Sequence, residues 1–527
     1  LLSSLAAGGD QLVAEEALTL GAQLIVPLPM QREVYLVDFD PVARRKFDAI
    51  SRHGMVWQLP LMPGNNLANI IEPGAARDRQ YAQAGVYIAS HSHILLALWD
   101  GRASHLTGGT SQIIRFHLHG SLPGVIERRR GVHPRFDDGD ESLIYHIPCS
   151  RDVGHEVQAP LPPLQALVPR WIDAQATHAG ASGMPSEFRL MIRRIAELNA
   201  DLTRYQSAIA ASRQAEPDMR RIRRRDEPMD VLFHGADWLA LHFQLRVKLA
   251  LRLMHGLAAM MGIALVCYSD LPGNQSLHSA MIYLFLLLFA SGIVLENLIR
   301  RRDWHRKYVD YRALAEGLRV QRYWRLAGIA AANSSAFAHD NFLQKQDIEL
   351  GWIRNVMRAA SLSWLDVEAG AIVPLDAVVK SWIGNPGEGG QLDYYTRNSA
   401  ERQRISRQTQ TMARTCLWAG ISISIILALL HSQLDGTTAG VLVVLMGILA
   451  ILAAARESYA YRKADKELVK QYRFMLHIFS NARAAIDAEP EQVGRREILR
   501  ELGETALAEH AEWALMQRER PLEHGSP

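Results

Sequence analysis

The sequence has few of the residues that mark several common classes of protein. Its three cysteines, Cys149, Cys267 and Cys416, are scattered and show no CxxC spacing, which excludes a disulfide framework and a thiolate metal cluster. A net charge of +3, from 58 basic and 55 acidic residues, is too small for a dedicated DNA-binding protein, so no nucleic-acid partner is expected. The chain contains no Walker motif, no GxSxG and no HExxH. What it does contain is apolar sequence, very unevenly distributed.

Four segments lack charge or nearly so, although the mean hydropathy of the whole chain is only −0.06. Polar neighbours can extend each of them to the roughly 20 residues that cross a bilayer core. Two such segments in succession are also compatible with a buried hairpin of a soluble protein, and the flanking charges are needed to decide. The four segments are Leu253–Ser269, Ala280–Leu295, Thr415–Leu430 and Thr438–Ala455.

The charges around these segments favour a membrane protein. The short connectors Asp270–His278 and His431–Gly436 contain no Lys or Arg, whereas all four outer flanks are basic. The positive-inside rule then predicts four transmembrane helices in two hairpins that point away from the cytoplasm. We therefore expect a multi-pass protein in a lipid bilayer, with both termini and the middle of the chain in the cytoplasm.

The two hairpins have the register of a duplication. Glu296 closes the second segment and Tyr311 follows 15 residues later, while Glu457 closes the fourth and Tyr472 again follows 15 residues later. The common offset is 161 residues, which predicts two copies of a unit with two spanning helices and a long cytoplasmic helix. We interpret the Tyr-Arg pairs that begin at Tyr311 and Tyr472 as packing residues of a helical bundle rather than catalytic groups.

The first 120 residues alternate between helical and strand patterns. LAAGGDQLVAEEALTLG is an amphipathic helix that Asp10 can cap, AQLIVPLP is a buried strand, ARDRQYAQAGVYIASHS is helical and HILLALWDG is another strand. This alternation predicts an α/β Rossmann-like domain with a parallel sheet, in which ligands lie beyond the carboxyl ends of the strands. The remainder is predicted to be an all-α membrane domain with long cytoplasmic helices.

Candidate ligand-binding residues lie where such strands end. Two glycine-rich turns, Ser3–Asp10 and Gly108–Thr110, leave backbone N–H groups at a helix start, where an anionic group can be held. Tight strand–helix turns also use glycine for conformational reasons alone. Asp100-Gly101 ends the HILLALWDG strand. Arg77-Asp78 can contact a ligand phosphate or ribose, or can form a salt-bridged helix surface. No metal ion is expected at His91/His93 or His117/His119, because no cysteine or set of spaced carboxylates accompanies them.

These N-terminal motifs resemble the SLOG superfamily, which includes DprA-like and LOG-type Rossmann proteins and the nucleotide-sensing region of TRPM channels. SSLAAGGDQLVAEEALTLGAQLIVPLP is similar to its second strand–loop–helix, and HILLALWDG with the later GGTSQIIRFHLHG is similar to its later strand and Gly-Gly-Thr loop. The resemblance implies a pocket for a nucleotide or ADP-ribose-type ligand, with no other cofactor. The residues it implies are Ser3, Ser4, Gly8, Gly9, Asp10, Gly108, Gly109 and Thr110.

The duplicated hairpins resemble SLATT proteins, predicted membrane effectors of bacterial conflict systems that are often paired with nucleotide sensors. Two departures from the SLOG pattern matter. The sequence begins at Leu1, in what should be the second strand, so we expect the first strand and its glycine loop to be missing from it. LOG phosphoribohydrolases carry a glutamate shortly after their Gly-Thr, whereas Ser111, Gln112 and Ile113 follow Thr110 here. Without that carboxylate, sensing is favoured over catalysis.

The sequence thus predicts a homo-oligomeric sensor in a bacterial inner membrane that couples a nucleotide-derived signal to a channel or membrane effector, as in bacterial defence. The alternatives are a membrane-anchored phosphoribohydrolase-like enzyme and a membrane-anchored scaffold. The expected regions are residues 1–125 (SLOG-like domain), 126–228 (linker and cytoplasmic helices), 229–345 (first hairpin unit with its cytoplasmic helix), 346–410 (connecting helices) and 411–515 (second hairpin unit with its cytoplasmic helix).

Overall fold

The fold consists of two compact units, each built from several stretches of the chain. The computed structural model describes residues 1–104, 107–122, 126–127, 142–153, 156–173, 177–179, 183–215, 228–273, 275–329, 342, 350–362, 373–430, 432–462 and 465–518. The first unit comprises Leu1–Gly235, Leu314–Pro374 and Gly503–Ala511. The second comprises Ala236–Ala313, Leu375–Leu502 and Glu512–Pro527.

Strands occur in the first unit, where helices separate them. Its strands are β1 (Leu24–Leu28), β2 (Gly54–Gln58), β3 (Ile94–Trp99), β4 (Ser121–Leu122), β5 (Ile126–Glu127), β6 (Leu143–Pro148), β7 (Arg151–Val153), β8 (Glu156–Gln158), β9 (Arg170–Ile172) and β10 (Thr177–Ala179). The helices along this part of the chain are α1 (Gly9–Thr19), α2 (Arg32–Tyr35), α3 (Pro41–Ser51), α4 (Leu67–Ile71), α5 (Ala75–His91), α6 (Thr110–His119), α7 (Ser186–Arg204) and α8 (Gln206–Ala215).

Two parallel strand pairs form the centre of the N-terminal region. β1 pairs with β2, and Leu2 forms a parallel bridge with Ile25, so the residues before α1 extend this sheet. β3 pairs in parallel with β6, which β9 and β10 continue in antiparallel fashion. The predicted α/β character of this region is confirmed, and β1, β3 and α5 lie where the sequence predicts them.

The stretch between β1 and α5, for which the sequence predicts no element, contains several short helices and a strand. Asp40 caps α3 by accepting hydrogen bonds from the amides of Val42 and Ala43, and Pro41 occupies the first helical position. Asn66 forms a reciprocal capping box with Asn69 at the start of α4. These are sequence signals of helix starts, and they order the segment that carries Tyr35 and Asp38.

From residue 228 onward, the regular elements of the described residues are helices. Those helices are α9 (Pro228–Asp270), α10 (Gln275–Arg302), α11 (Trp304–Leu326), α12 (Gly351–Ala360), α13 (Leu375–Trp382), α14 (Gly390–Leu429), α15 (Gly436–Arg462), α16 (Asp465–Ala488) and α17 (Gln492–Arg518). Helices α9, α11 and α17 each contribute residues to both units.

Four of these helices are long and apolar enough to cross a membrane, namely α9, the stretch from Gln275 through α11, α14 and α15. Each contains one of the four segments found in the sequence. Between 0% and 22% of the residues in their apolar windows are buried inside the chain. Apolar side chains that are not buried by their own chain are stable in another apolar environment, and the interior of a lipid bilayer is such an environment.

The 161-residue offset reappears in the helix boundaries. α10 and α15 begin at Gln275 and Gly436, which are 161 residues apart. The expected division at residue 410 falls inside the continuous helix α14, so the second repeat also includes the charged part of that helix before Thr415.

Both Tyr-Arg pairs lie in helix packing. The ring of Tyr311 is 5.8 Å from that of Phe243, and Arg312 donates a 3.2 Å hydrogen bond to Asp237. The ring of Tyr472 lies 6.2 Å and 5.9 Å from the rings of Tyr394 and Tyr395 on α14. These contacts agree with the interpretation of the pairs as packing residues.

A buried ion pair joins α9 to α11 within the first unit. Arg322 Nε lies 2.5 Å from Asp230 Oδ1, with the two side chains 4% and 6% exposed. The Arg322 guanidinium also lies 5.8 Å from the centre of the Phe233 ring. Removing one partner of a buried pair leaves an uncompensated charge in an environment of low polarity.

We therefore expect Asp230→Ala to lower the free energy of unfolding by about 3–5 kcal/mol, because Arg322 would remain buried without its carboxylate. Thermal unfolding of the detergent-solubilised chain measures the loss. The matched control is Arg483→Ala, which removes the exposed pair with Asp487 on α16 and should cost about 0.5 kcal/mol or less. Equal losses in the two variants would contradict a stabilising role of the buried pair.

Candidate functional site

The first glycine turn connects an extended segment to α1. Ser3 N donates to the carbonyl of Ile25 at 3.1 Å, which holds the segment beside β1, and Leu5 then turns the chain with a positive φ of 55°. Gly8 has a φ of 96°, and a Cβ placed on it would meet nothing within 4 Å. No side chain caps α1 at Gly8. The space beside Gly8 is therefore open, and the residue before the first helical turn has no side chain that could cap it.

Asp10 is the second residue of α1 and not its cap, which corrects the capping role expected from the sequence. Its carboxylate accepts a 2.8 Å hydrogen bond from the Ser3 hydroxyl. The side chain is accessible to solvent, yet the protein around the carboxylate removes enough water to raise its pKa, against the opposing hydrogen bonds from Ser3 and the Ala6 amide. Asp10 is thus an oriented carboxyl group at an accessible helix start.

Ser4 has a structural part beside this turn. Its hydroxyl donates to the carbonyl of Pro27 at 2.7 Å, and its own carbonyl accepts a 3.1 Å hydrogen bond from the Tyr35 hydroxyl. Burial raises the pKa of Tyr35, and the nearby charge of Asp10 raises it further. The structure therefore brings Tyr35 close to the turn, although the sequence analysis did not single it out.

Arg77 lies inside the protein and holds two neighbouring loops. Its guanidinium donates to Asp38 Oδ2 at 2.8 Å and 3.1 Å, and to the carbonyls of Ile70 at 2.6 Å and Val34 at 3.0 Å. The side chain is only 3% exposed. With these donors engaged, Arg77 has a structural role, and the ion pair expected on the helix surface forms instead with Asp38.

Two further residues complete this cluster. The Tyr81 hydroxyl donates to Asp38, and burial together with that hydrogen bond raises the pKa of Tyr81. The rings of Tyr35 and Tyr81 are 5.9 Å apart. Asp78, one residue after Arg77, is half-buried in the first turn of α5, where a carboxylate interacts favourably with the helix dipole. Tyr35 and Asp38 follow the carboxyl end of β1, which is the signal that would have identified them.

Asp100 and Gly101 turn the chain after β3 beneath a covering segment. Asp100 is buried, its Oδ1 accepts from the Arg102 amide at 3.0 Å and its carbonyl accepts from the Leu161 amide at 2.8 Å. A Cβ on Gly101, whose φ is 86°, would lie 2.4 Å from Leu164 Cδ1. Asp100 and Gly101 therefore form the turn itself, and residues 161–164 pack over it.

The second glycine turn separates into a packing glycine and a helix start. Gly108 has a φ of 82°, and a Cβ there would lie 2.8 Å from the backbone nitrogen of Ala82 on α5. Gly109 precedes α6, which no side chain caps, and Thr110 is exposed at its first position. The Gly-Gly-Thr sequence is thus explained in part by the close approach of α5 and in part by an open helix start.

Ser111 and Gln112, two of the three residues that follow Thr110, hold the same loop. Gln112 Oε1 accepts a 3.0 Å hydrogen bond from the Gly108 amide, and Ser111 Oγ accepts a 3.0 Å hydrogen bond from the Ser104 amide. Neither side chain carries a charge. Among the residues that the structure describes, no group of three His, Cys, Asp or Glu side chains is arranged to hold a metal ion.

The start of α1 lies against β3. A Cβ on Gly9 would be 3.4 Å from Leu98 Cδ2, and Leu98 is the fifth residue of that strand. The Gly8–Asp10 turn and the carboxyl half of β3 are therefore neighbours at one edge. Of the predicted residues, Gly8 and Asp10 are exposed there, beside the half-buried Gly9 and the buried Ser3. Ser4, Arg77, Asp100, Gly101 and Gly108 mainly build the structure around them.

Trp99 is held in packing rather than left free to stack on a base. Its indole nitrogen donates to the Arg102 carbonyl at 2.9 Å, and its ring lies 5.3 Å from that of His146. Arg170 Nε donates to His146 Nδ1 at 3.1 Å, so the other ring nitrogen donates to the Trp99 carbonyl. Burial lowers the pKa of His146 and so favours this neutral form.

Comparison of the chain with protein-family models, curated proteins and solved structures finds no match. The resemblance to SLOG and SLATT proteins therefore stays a prediction that rests on the motifs in the sequence.

The two glycine turns should respond differently to alanine. Gly108→Ala should reduce the free energy of unfolding by more than about 3 kcal/mol, because a Cβ there meets backbone atoms of α5 as well as an unfavourable φ. Gly8→Ala should cost only about 1–2 kcal/mol, since its Cβ meets open space and only the φ is strained. Thermal unfolding of the two variants in detergent measures the difference. A Gly108→Ala protein as stable as Gly8→Ala would contradict the close packing of α5 on this turn.

Proposed function

We propose that this chain is a membrane-embedded sensor of a nucleotide-derived signal. The observation that carries the proposal is the accessible, uncapped start of α1 at Gly8–Asp10, in the same chain as four helices of membrane-spanning length. The ligand binds at that turn, and its binding changes the state of the membrane helices. The output is a channel or another membrane effector of bacterial defence in the inner membrane.

A phosphate group fits the helix start. The first amides of an α-helix have no partner within the helix, and they carry the positive end of its dipole. At α1 no side chain of the protein occupies those amides, and the space beside Gly8 is open. A helix start of this kind binds phosphate without needing a basic side chain.

The ribose of a nucleotide fits the carboxyl group beside the turn. An ionised carboxylate accepts up to about four hydrogen bonds. The Ser3 hydroxyl and the Ala6 amide take part of that capacity at Asp10, which leaves lone pairs for the hydroxyl groups of a sugar.

The arrangement of strands supports a Rossmann-like reading of the domain. The extended residues 1–4, β1 and β2 lie parallel in that order, β3 and β6 form a second parallel pair, and α1 begins beside β3. In doubly wound sheets, ligands bind beyond the carboxyl ends of strands where the strand order reverses. The Gly8–Asp10 turn follows the extended segment at its carboxyl end.

Sensing is favoured over catalysis by the uncharged residues after Thr110. Hydrolysis of an N-glycosidic bond needs a carboxylate that activates water or stabilises an oxocarbenium-like state. Ser111 and Gln112 occupy those positions and hold the loop instead. The second candidate is a phosphoribohydrolase-like enzyme, which the raised pKa of Asp10 favours, since that carboxyl group is suited to proton transfer.

A route toward the membrane helices begins next to the same domain. His93, between α5 and β3, contacts the carbonyl of Asn355 on α12 at 2.7 Å through its Nε2. Gln321 of α11 donates to the carbonyl of Met357 on α12 at 2.9 Å. α11 continues in sequence from α10 through Asp303, whose φ is 48°. Movement of β3 on ligand binding can thus reach a membrane-length helix through α12 and α11.

Several copies of the chain are needed for a pore. Four membrane helices per chain are too few to surround an aqueous path of useful width, so the channel form of the proposal includes a homo-oligomer in the bilayer. Both chain ends and the N-terminal domain then lie on the cytoplasmic side, in accordance with the basic flanks of the spans.

Ligand binding is tested by isothermal titration of the full chain in detergent with a panel of nucleotides, ADP-ribose derivatives and cyclic nucleotides. We expect saturable binding of at least one member, and at least a hundredfold loss in Gly8→Glu, whose carboxylate would occupy the open space at the helix start and repel phosphate. Chromatography of the same mixtures separates binding from turnover.

The matched control for that titration is Gly64→Glu. Gly64 has a φ of 84° and open space around it, as Gly8 does, but it lies in the turn between β2 and α4. Its variant carries the same strain and charge and should bind normally. The site at the α1 start would be refuted if no member of the panel binds, or if both variants lose the same affinity. Nucleotide turnover that is lost in Asp10→Asn would favour the enzyme.

The route through His93 is tested in liposomes that contain the full chain. His93→Phe removes the hydrogen bond to Asn355 and should reduce ligand-induced ion flux severalfold while the ligand affinity stays unchanged. His93→Gln, which keeps an N–H donor, serves as the control and should retain more of the response. Loss of affinity in parallel with flux would assign His93 to the stability of the domain and not to coupling.

A further inference from the structure

A groove of about 770 Å³ runs along one face of α14 in the second unit, open to the outside. Its lining residues recur at helical spacing. They are Ala400, Gln403, Arg404, Arg407, Gln408, Thr411, Met412, Thr415 and Cys416. The last two begin the apolar segment Thr415–Leu430, so the groove extends from a basic, polar end to the start of a membrane-length segment.

The corresponding face of the first repeat is closed. At the 161-residue offset, Arg404 and Gln408 correspond to Phe243 and Val247 of α9, which are 3% and 6% exposed. The equivalents of three further groove positions, Leu239, Ala250 and Leu251, are also buried, whereas those of Gln403, Arg407, Thr415 and Cys416 are half-buried, namely His242, Arg246, Met254 and His255. On α14 the groove positions Ala400, Arg404, Gln408, Thr411 and Met412 are all exposed. Five positions of this face are thus buried by the chain in the first repeat and exposed in the second.

The charges in the groove are not neutralised by the chain. Within the described residues, Arg404 and Arg407 form no ion pair and no side-chain hydrogen bond, and Glu401 on the same helix is joined to neither of them. A guanidinium presents planar N–H donors that match the oxygens of a phosphate. The occupant that complements this face is anionic at one end, where the arginines lie, and apolar at the other, where Met412 and Cys416 lie.

We propose that the α14 groove binds an anionic phospholipid, whose headgroup phosphate lies between Arg404 and Arg407 and whose acyl chain follows Met412 toward the span. A second copy of this chain suits the face less well, because Arg404 and Arg407 lie on it and the core of a protein–protein interface is depleted of charged residues. The inference rests on the proposed insertion of the four helices in a bilayer, and it is independent of the ligand at Gly8.

The test uses the full chain reconstituted in phosphatidylcholine vesicles with a minor fraction of phosphatidylglycerol. Trp418, 66% exposed two residues beyond the groove, reports on nearby lipid through quenching by brominated acyl chains, with Trp418→Phe as the blank. Brominated phosphatidylglycerol should quench Trp418 severalfold more than brominated phosphatidylcholine at the same mole fraction. In the double variant Arg404→Gln/Arg407→Gln this preference should disappear, since each arginine near an anionic membrane surface is worth about a fivefold factor and the two together exceed a severalfold preference.

The matched control is Arg414→Gln/Arg473→Gln, which removes two exposed arginines outside the groove and should keep the preference. Equal losses in the two double variants would overturn the proposal in favour of a general surface potential. Three other results would also overturn the proposal. The unmodified protein could show no preference, the preference could be lost on addition of inorganic phosphate at constant ionic strength, or the oligomeric state could change without a change in quenching. Carbonate extraction of the vesicles shows separately whether the chain is inserted, so failure of insertion is distinguished from failure of the lipid site.

Discussion

The exposure of four long apolar helices is the constraint on which the rest of the molecule depends. In the apolar windows of α9, α10, α14 and α15, few or no residues are covered by the chain itself. Water solvates such surface poorly, and a backbone that leaves water must satisfy its own hydrogen bonds, which a helix does internally. The four apolar segments are consequently helical, and the charged segments that continue α9 and α14 are helical with them. Each of α9 and α14 is one continuous helix that contains both an apolar segment and a charged segment of the chain.

The duplication of the hairpin unit produces two copies with different surroundings. In the first copy, aromatic and ionic contacts such as Phe243–Tyr311 and Asp230–Arg322 lie along α9 and α11. In the second, the face of α14 equivalent to the buried side of α9 is open, and arginine and glutamine replace apolar residues there. The two halves of a duplicated fold can therefore differ in function through a handful of side chains on one helix face, because the backbone of each copy is maintained by its own helix pairing.

The candidate ligand site combines residues that are exposed with others that hold them. Asp10 and the first amides of α1 are accessible, and Ser3 orients the carboxylate. Behind them, Arg77 ties Asp38 to the carbonyls of Ile70 and Val34, and Tyr35 hydrogen-bonds to Ser4. Arg77 has several hydrogen-bond partners, and breaking a hydrogen bond inside the protein costs more free energy than breaking one at the surface. Its role is therefore to hold the neighbouring segments rather than to contact a ligand.

Periodicity and charge in the sequence by themselves determined the four apolar helices, the 161-residue repeat, the strands β1 and β3 and the helix starts at the two glycine turns. These properties are local, or follow from the solvent that a segment requires, so they can be read from neighbouring residues. Only the tertiary structure decided which of the predicted residues are accessible. Gly8 and Gly108 look alike in sequence, yet one faces open space and the other meets the backbone of α5. Arg77 was a ligand candidate until Asp38 and Tyr81 were brought to it from other segments, and the open face of α14 is visible only because the equivalent face of α9 is buried. Contacts between segments distant in the chain depend on packing, which no local pattern encodes.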